Sequence, residues 1–154
     1  MNIVYKDIII RDYKEEDIID GIRWMNEEIA WHEWDAPWES EEDLNNFDAE
    51  KYYQKAMEKL KDKKDDSEFR RRFEIDTKYG IHIGRECNSY LNDEEYNWKS
   101  ASQGGCLHTL GIDICESAYW HKGMVHRLLL LSYSIIYLEK LWIFIQRHGL
   151  EIIL

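Results

Sequence analysis

The stretch Phe69–Leu91, FRRRFEIDTKYGIHIGRECNSYL, decides the fold class. Phe69, Arg71, Phe73, Ile75 and Thr77 alternate with Arg70, Arg72, Glu74 and Asp76. Apolar side chains therefore fall mostly on one parity, which predicts a half-buried strand. Tyr79-Gly80 reads as a turn, and Ile81–Leu91 as a second strand. The polar stretch Asn92–Gly105 reads as a loop, and LHTLGIDIC (Leu107–Cys115) as a third strand. Upstream, Asp7–Arg11 carries three consecutive isoleucines and reads as a strand. Asp12 and Glu15 have the spacing of a helix-start capping pair. Ile18, Ile22, Met25 and Ile29 then form one stripe on a helix of ~15–18 residues. WHEWDAPWE (Trp31–Glu39), with Pro37, interrupts the pattern. A second helix is expected from Ser40, with Leu44, Phe47, Tyr53, Met57 and Leu60 inward, ending in the solvated charge run Lys61–Asp66. Downstream lie a glycine-containing turn, Trp120–Gly123, a helix and a last strand. The order predicts an α+β fold, a mainly antiparallel sheet flanked by helices.

The chain has 154 residues, 44% hydrophobic and 33% charged, which fits a single domain over residues 1–154. Lys plus Arg is 20 against 31 Asp plus Glu, a net charge of −11. That balance repels phosphate backbones, so neither nucleic acid nor an anionic membrane is expected as a partner. MNIVYKDIIIRDYKEED reads as neither a signal peptide nor a membrane span. Cys87, Cys106 and Cys115 match no zinc or redox spacing and read as reduced, mostly buried thiols of a cytoplasmic protein. The six histidines show no metal-ligand spacing with carboxylates, so no metal is expected.

LGIDICESAYWHKG (Leu110–Gly123), following IHIGRECNSYLNDEEYNW (Ile81–Trp98), resembles the GNAT N-acetyltransferase superfamily, in its ribosomal-protein and aminoglycoside-6′-type branch. IIIRDYKEEDIIDGIRWMNEE (Ile8–Glu28) and the loop holding Asp35-Ala36-Pro37-Trp38 resemble the same branch. The likeness covers residues 7–123, in the right order. It implies a GNAT-like sheet and acetyl-CoA as cosubstrate, with direct attack of a small-molecule or peptide primary amine on the thioester.

The resemblance also implies residue roles. The pantetheine arm would follow Ile112, Ile114 and Cys115. The pyrophosphate would meet the turn holding His121, Lys122, Gly123 and Val125, at a helix start whose N–H groups are unpaired. In the family that turn reads Y-W-G-K-G-Y-G. Here His121 and Val125 stand where the family has glycines, and Lys122 and Gly123 match. Asp113 corresponds to an aspartate beside the acetyl group that holds or deprotonates the amine. Trp34, Asp35 and Trp38 would line the substrate groove. Glu86 and Tyr90 share strand parity and would border it.

Composition changes after Gly123. The last 31 residues hold eight Leu and six Ile, whereas the first 123 hold five Leu. Glu139-Lys140 splits the run well short of the ~20 residues of a span. Restoring one nucleotide after the Gly123 codon permits G-Y-G-T-Q-A, the family's continuation. The codons of Leu141–Glu151 then permit M-D-I-Y-T-K-T-W-S-G, similar to the family's next strand. The expectation is that residues 124–154 are an out-of-frame reading, with the family's C-terminal strands missing and the thiolate-protonating region with them. Three readings remain open: an acetyltransferase impaired in its cofactor turn, a noncatalytic remnant, or an interaction module whose apolar tail drives homo-oligomerisation.

Overall fold

The computed structural model describes residues 2–34, 44–61, 72–92, 98–99 and 107–134. The chain divides into two compact units, Met1–Trp120 and His121–Leu154. The first is α+β. Its strands are β1 (Asn2–Tyr5), β2 (Ile8–Arg11), β3 (Arg72–Thr77), β4 (His82–Asn92), β5 (Trp98–Lys99) and β6 (Leu107–Ile114). The described strands form one six-stranded sheet: β1, β2, β3 and β4 lie in that order, β6 pairs with β4, and β5 joins β4 at Leu91–Asn92. Every pairing is antiparallel. β1 and β5 are additional to the sequence reading, β5 lying within the expected Asn92–Gly105 loop. The β1 side chains alternate between exposed and half-buried, as suits an edge strand.

Alternation builds the apolar face as expected. Ile8 and Ile10 lie opposite Thr77 and Ile75, and with Phe73 they are buried. The opposite face departs from expectation. Glu74 and Asp76 are also buried, so β3 is covered on both sides rather than half-buried. Alternation marks which residues share a face but not what covers it. Here α1 (Asp17–Asn26) brings its own charges to that face. Arg11 donates from Nη1 and Nη2 to the two Asp17 oxygens, each at 2.7 Å, and from Nε to Asp76 Oδ2 at 2.5 Å.

α1 is ten residues long, shorter than the stripe predicts. It starts at Asp17, past the expected Asp12–Glu15 pair, and the Lys14 N–H donates to Asp17 Oδ2 at 2.7 Å. At the other end the N–H groups of Glu27 and Glu28 both donate to the Arg23 carbonyl. The chain then turns into a 3₁₀ segment, Ile29–Glu33, which leaves Ile29 exposed. Ile18 is fully buried, and Trp24 takes the inward place that the stripe gave to Ile22 and Met25. Leu44 and Asn45 are helical, and α2 (Ala49–Lys61) follows, with Asp48 Oδ1 accepting the Lys51 N–H at 3.0 Å; the expected start at Ser40 lies outside the described residues. Residues 35–43 lie outside the described residues, as does all but Lys61 of the Lys61–Asp66 run.

Beyond β6 the chain makes a 3₁₀ turn, Ser117–Tyr119. Trp24, Trp31 and Cys115 form a buried cluster, with Met25 and Trp120 packed against it. Each buried indole N–H is satisfied: Trp24 donates to Glu116, Trp31 to the Trp24 carbonyl at 3.0 Å and Trp120 to the Ile114 carbonyl at 2.7 Å.

In the second unit, residues 124–134 are helical (α3), matching the expected helix. The expected last strand lies outside the described residues. No helix among the described residues is long and apolar enough to cross a membrane.

Candidate active site

The C-terminal end of β6 gathers the chemistry-bearing residues of the first unit. Antiparallel register sets Asp113 opposite Arg85 of β4, so both side chains share a sheet face. Arg85 Nε donates to Asp113 Oδ2 at 2.8 Å, and the two side chains are 21% and 17% exposed, open enough to be reached. The Arg85 guanidinium stands 4.9 Å from the Trp31 ring centroid, a cation–π contact. Gly84 permits this approach, because a Cβ there would lie 2.0 Å from the Asp113 carbonyl oxygen.

Just past β6, Glu116 accepts hydrogen bonds from Arg23 and from Trp24 Nε1, the latter at 2.7 Å. The Glu116 hydrogen bond, against a smaller opposing effect of burial, raises the Arg23 guanidinium further above its ordinary range. Glu28 Oε1 accepts the Ser117 N–H at 3.1 Å, which lowers the Glu28 carboxyl. Trp34 is 77% exposed and meets Trp120 edge-on at 6.4 Å between ring centroids. The result is a carboxylate held by a guanidinium, with Trp31 against that guanidinium and Trp34 and Trp120 farther along the chain. It can orient a proton donor through Asp113 and hold an apolar or cationic group against indole faces.

The other expected site residues divide. Ile112 is half-buried, while Ile114 and Cys115 are buried. Burial pushes the Cys115 thiol far above the ordinary cysteine range, so it is a packing residue and not a nucleophile. Asp35 and Trp38 lie outside the described residues. In the backbone register Glu86 sits opposite Ile112 and Tyr90 opposite Thr109, with a register shift between Asn88 and Tyr90.

In the second unit, His121 and Gly123 both take the left-handed region, at φ 59° and 67°. Lys122 is exposed, and Val125 is 45% exposed at the start of α3.

The sequence reading missed Arg85, Trp24 and Glu116 as parts of the site. Only the register, which sets Arg85 against Asp113, and the fold-back of α1 toward Glu116 reveal them.

Asp17, Asp20 and His82 bring ligand-type atoms within 4.8 Å of one another. These atoms already serve each other and Arg11: both Asp17 oxygens accept from Arg11, and His82 Nδ1 lies 2.8 Å from Asp20 Oδ2.

No protein-family model, curated protein or solved structure matches the chain.

Proposed function

We propose that the chain is a GNAT-like N-acetyltransferase that uses acetyl-CoA to acetylate a primary amine. The carrying observation is Asp113 of β6, held by Arg85 of β4, in an antiparallel run β3, β4 and β6 that follows β2 and two helices. With β1 and β5 additional, that order is compatible with the one the sequence resemblance implies. Among the described residues β6 pairs only with β4. Its other edge offers backbone groups to the amides of a pantetheine arm, which suits Ile112 and Ile114 in their assigned role. Residues 121–125 are assigned the pyrophosphate.

Bound acetyl-CoA supplies an electrophilic thioester carbonyl and a thiolate leaving group. The chain's own groups act on the amine. Trp34 and the −11 net charge attract a cationic amine. With Oδ2 on Arg85, Asp113 orients the amine through Oδ1 and takes or steers the proton lost as the C–N bond forms. His121 and Val125 place side chains in the segment assigned to the pyrophosphate, so turnover is slow, below ~1 s⁻¹. The test is release of CoA thiol from acetyl-CoA with a polyamine, an aminoglycoside and a peptide N-terminus. Slow release that falls further in Asp113→Asn supports the reading. No release with any amine beyond the rate without protein refutes it.

A second reading, a noncatalytic chain that associates with itself, has its own support. Val125, Leu129 and Tyr133 recur every four residues on α3 and are 45%, 45% and 72% exposed, with Leu130 beside them. An apolar stripe of that kind favours association.

A further inference from the structure

His82 opens β4 on the charged face of the sheet, opposite Asp76 in register. It is buried, and both of its ring nitrogens face carboxylates. Nδ1 lies 2.8 Å from Asp20 Oδ2 and 3.5 Å from Asp17 Oδ1, both on α1. Nε2 lies 3.0 Å from Glu74 Oε2 on β3. An ionised carboxylate only accepts hydrogen bonds, and a neutral imidazole donates from one nitrogen only. Both contacts are hydrogen bonds when the ring carries two protons. With one proton, one nitrogen lone pair faces a carboxylate oxygen across hydrogen-bond distance.

The surrounding charges favour the doubly protonated ring. α1 contributes Asp17 and Asp20, with Arg23 beyond Asp20 at 3.5 Å. β3 contributes Glu74 and Asp76, and Asp76 Oδ1 is buried without a hydrogen-bond partner. β2 contributes Arg11, whose guanidinium is already divided between Asp17 and Asp76. On β4 the next residue of this face is Arg85, opposite Glu74 in register, whose Nε donates to Asp113 of β6. The carboxylates near His82 thus outnumber the cations.

We propose that His82 is a buried imidazolium clamp: it ties Asp20 of α1 to Glu74 of β3, and losing one proton frees the α1 side. The direction of release follows from burial. The Glu74 side chain is fully buried, between Arg11 and Arg85 in register and out of reach of water, whereas Asp20 is 33% exposed and can turn to water. α1 also carries Trp24, whose ring centroid is 4.6 Å from that of His82 and whose N–H holds Glu116 next to the Asp113 strand. Releasing Asp20 removes one of the ties of α1, leaving Arg11–Asp17 and Arg23–Glu116 in place, and so loosens the Trp24–Glu116 contact. The clamp acts on the candidate site whatever reaction that site performs.

Burial opposes the charge on His82, but the hydrogen bonds to Glu74 and Asp20 and the Asp17 and Glu74 charges outweigh it and hold the group above the ordinary histidine range. The folded-state value thus exceeds the unfolded value of about 6.5. The clamp's contribution to stability is complete below that value and is lost as pH rises through the folded-state value.

The experiment is a histidine-ring NMR titration of the full chain, with His82 assigned by its loss in His82→Gln and the Trp24 indole N–H by its loss in Trp24→Phe. The expected result is a His82 midpoint above ~6.5, with the Trp24 resonance moving at the same midpoint. Asp20→Asn should lower that midpoint by ~1 unit or more. If His82→Gln does not fold, Asp20→Asn identifies the His82 signal through that shift. A ring that stays neutral, a midpoint at or below ~6.5, or a Trp24 signal that does not follow His82 overturns the proposal.

Discussion

Two single residues carry sharply different constraints. Gly84 lies opposite Ile114 where β4 pairs with β6, and the atom a Cβ would meet is backbone, which cannot swing aside. Gly84→Ala should therefore force the strands apart and destabilise the chain by ~2 kcal/mol or more, read as a drop in the urea midpoint. An unchanged midpoint would contradict the close approach. His121 is a non-glycine residue at φ 59°, a conformation that costs an L-residue ~1 kcal/mol. His121→Gly removes that strain and a side chain from the assigned phosphate segment. It should tighten acetyl-CoA binding in calorimetry, and weaker binding would contradict that assignment. Asp113 was legible in the sequence because the G-I-D context singled it out. Its partner Arg85 was not, because a pairing across 28 positions depends on register, and one residue of slip would send Arg85 to the other face.

At the scale of elements, the seam between α1 and the sheet is held by charge. Burial pushes the Asp17 carboxyl up, but the Arg11 hydrogen bonds, the Lys14 N–H and the His82 and Arg11 charges outweigh it and hold the group below the ordinary aspartate range. Its stabilising contribution is complete above the unfolded value of about 3.9 and is lost as pH falls through the folded-state value. Stability measured from pH 7 down to 2 should fall most steeply below pH ~4, and Asp17→Asn should flatten that fall. Arg11→Met leaves Asp17 and Asp76 buried without their guanidinium and should cost ~3–5 kcal/mol. A loss under ~1 kcal/mol would place the pair among surface ion pairs. The apolar half of this architecture could be read from spacing: Ile8, Ile10, Phe73 and Ile75 follow strict alternation. The charged half could not, because Glu74 and Asp76 have the same pattern whether water or a helix bearing counter-charges faces them.

At the scale of the whole molecule, the break in composition after Gly123 lies close to the division between the two units at Trp120–His121. The exposed stripe on α3 predicts a mass that rises with concentration in light scattering, with Leu130→Lys restoring the monomer. A monomer at all concentrations would remove the second reading. The α+β class was legible because three strands in succession leave few alternatives, whereas the proposed activity rests on one turn, residues 121–125, whose role spacing alone does not fix. The most direct measurement is calorimetric titration of acetyl-CoA into the folded chain and into Gly123→Trp. The account predicts saturable binding that the variant loses. Absence of binding to the folded chain, or equal binding to both, would contradict it.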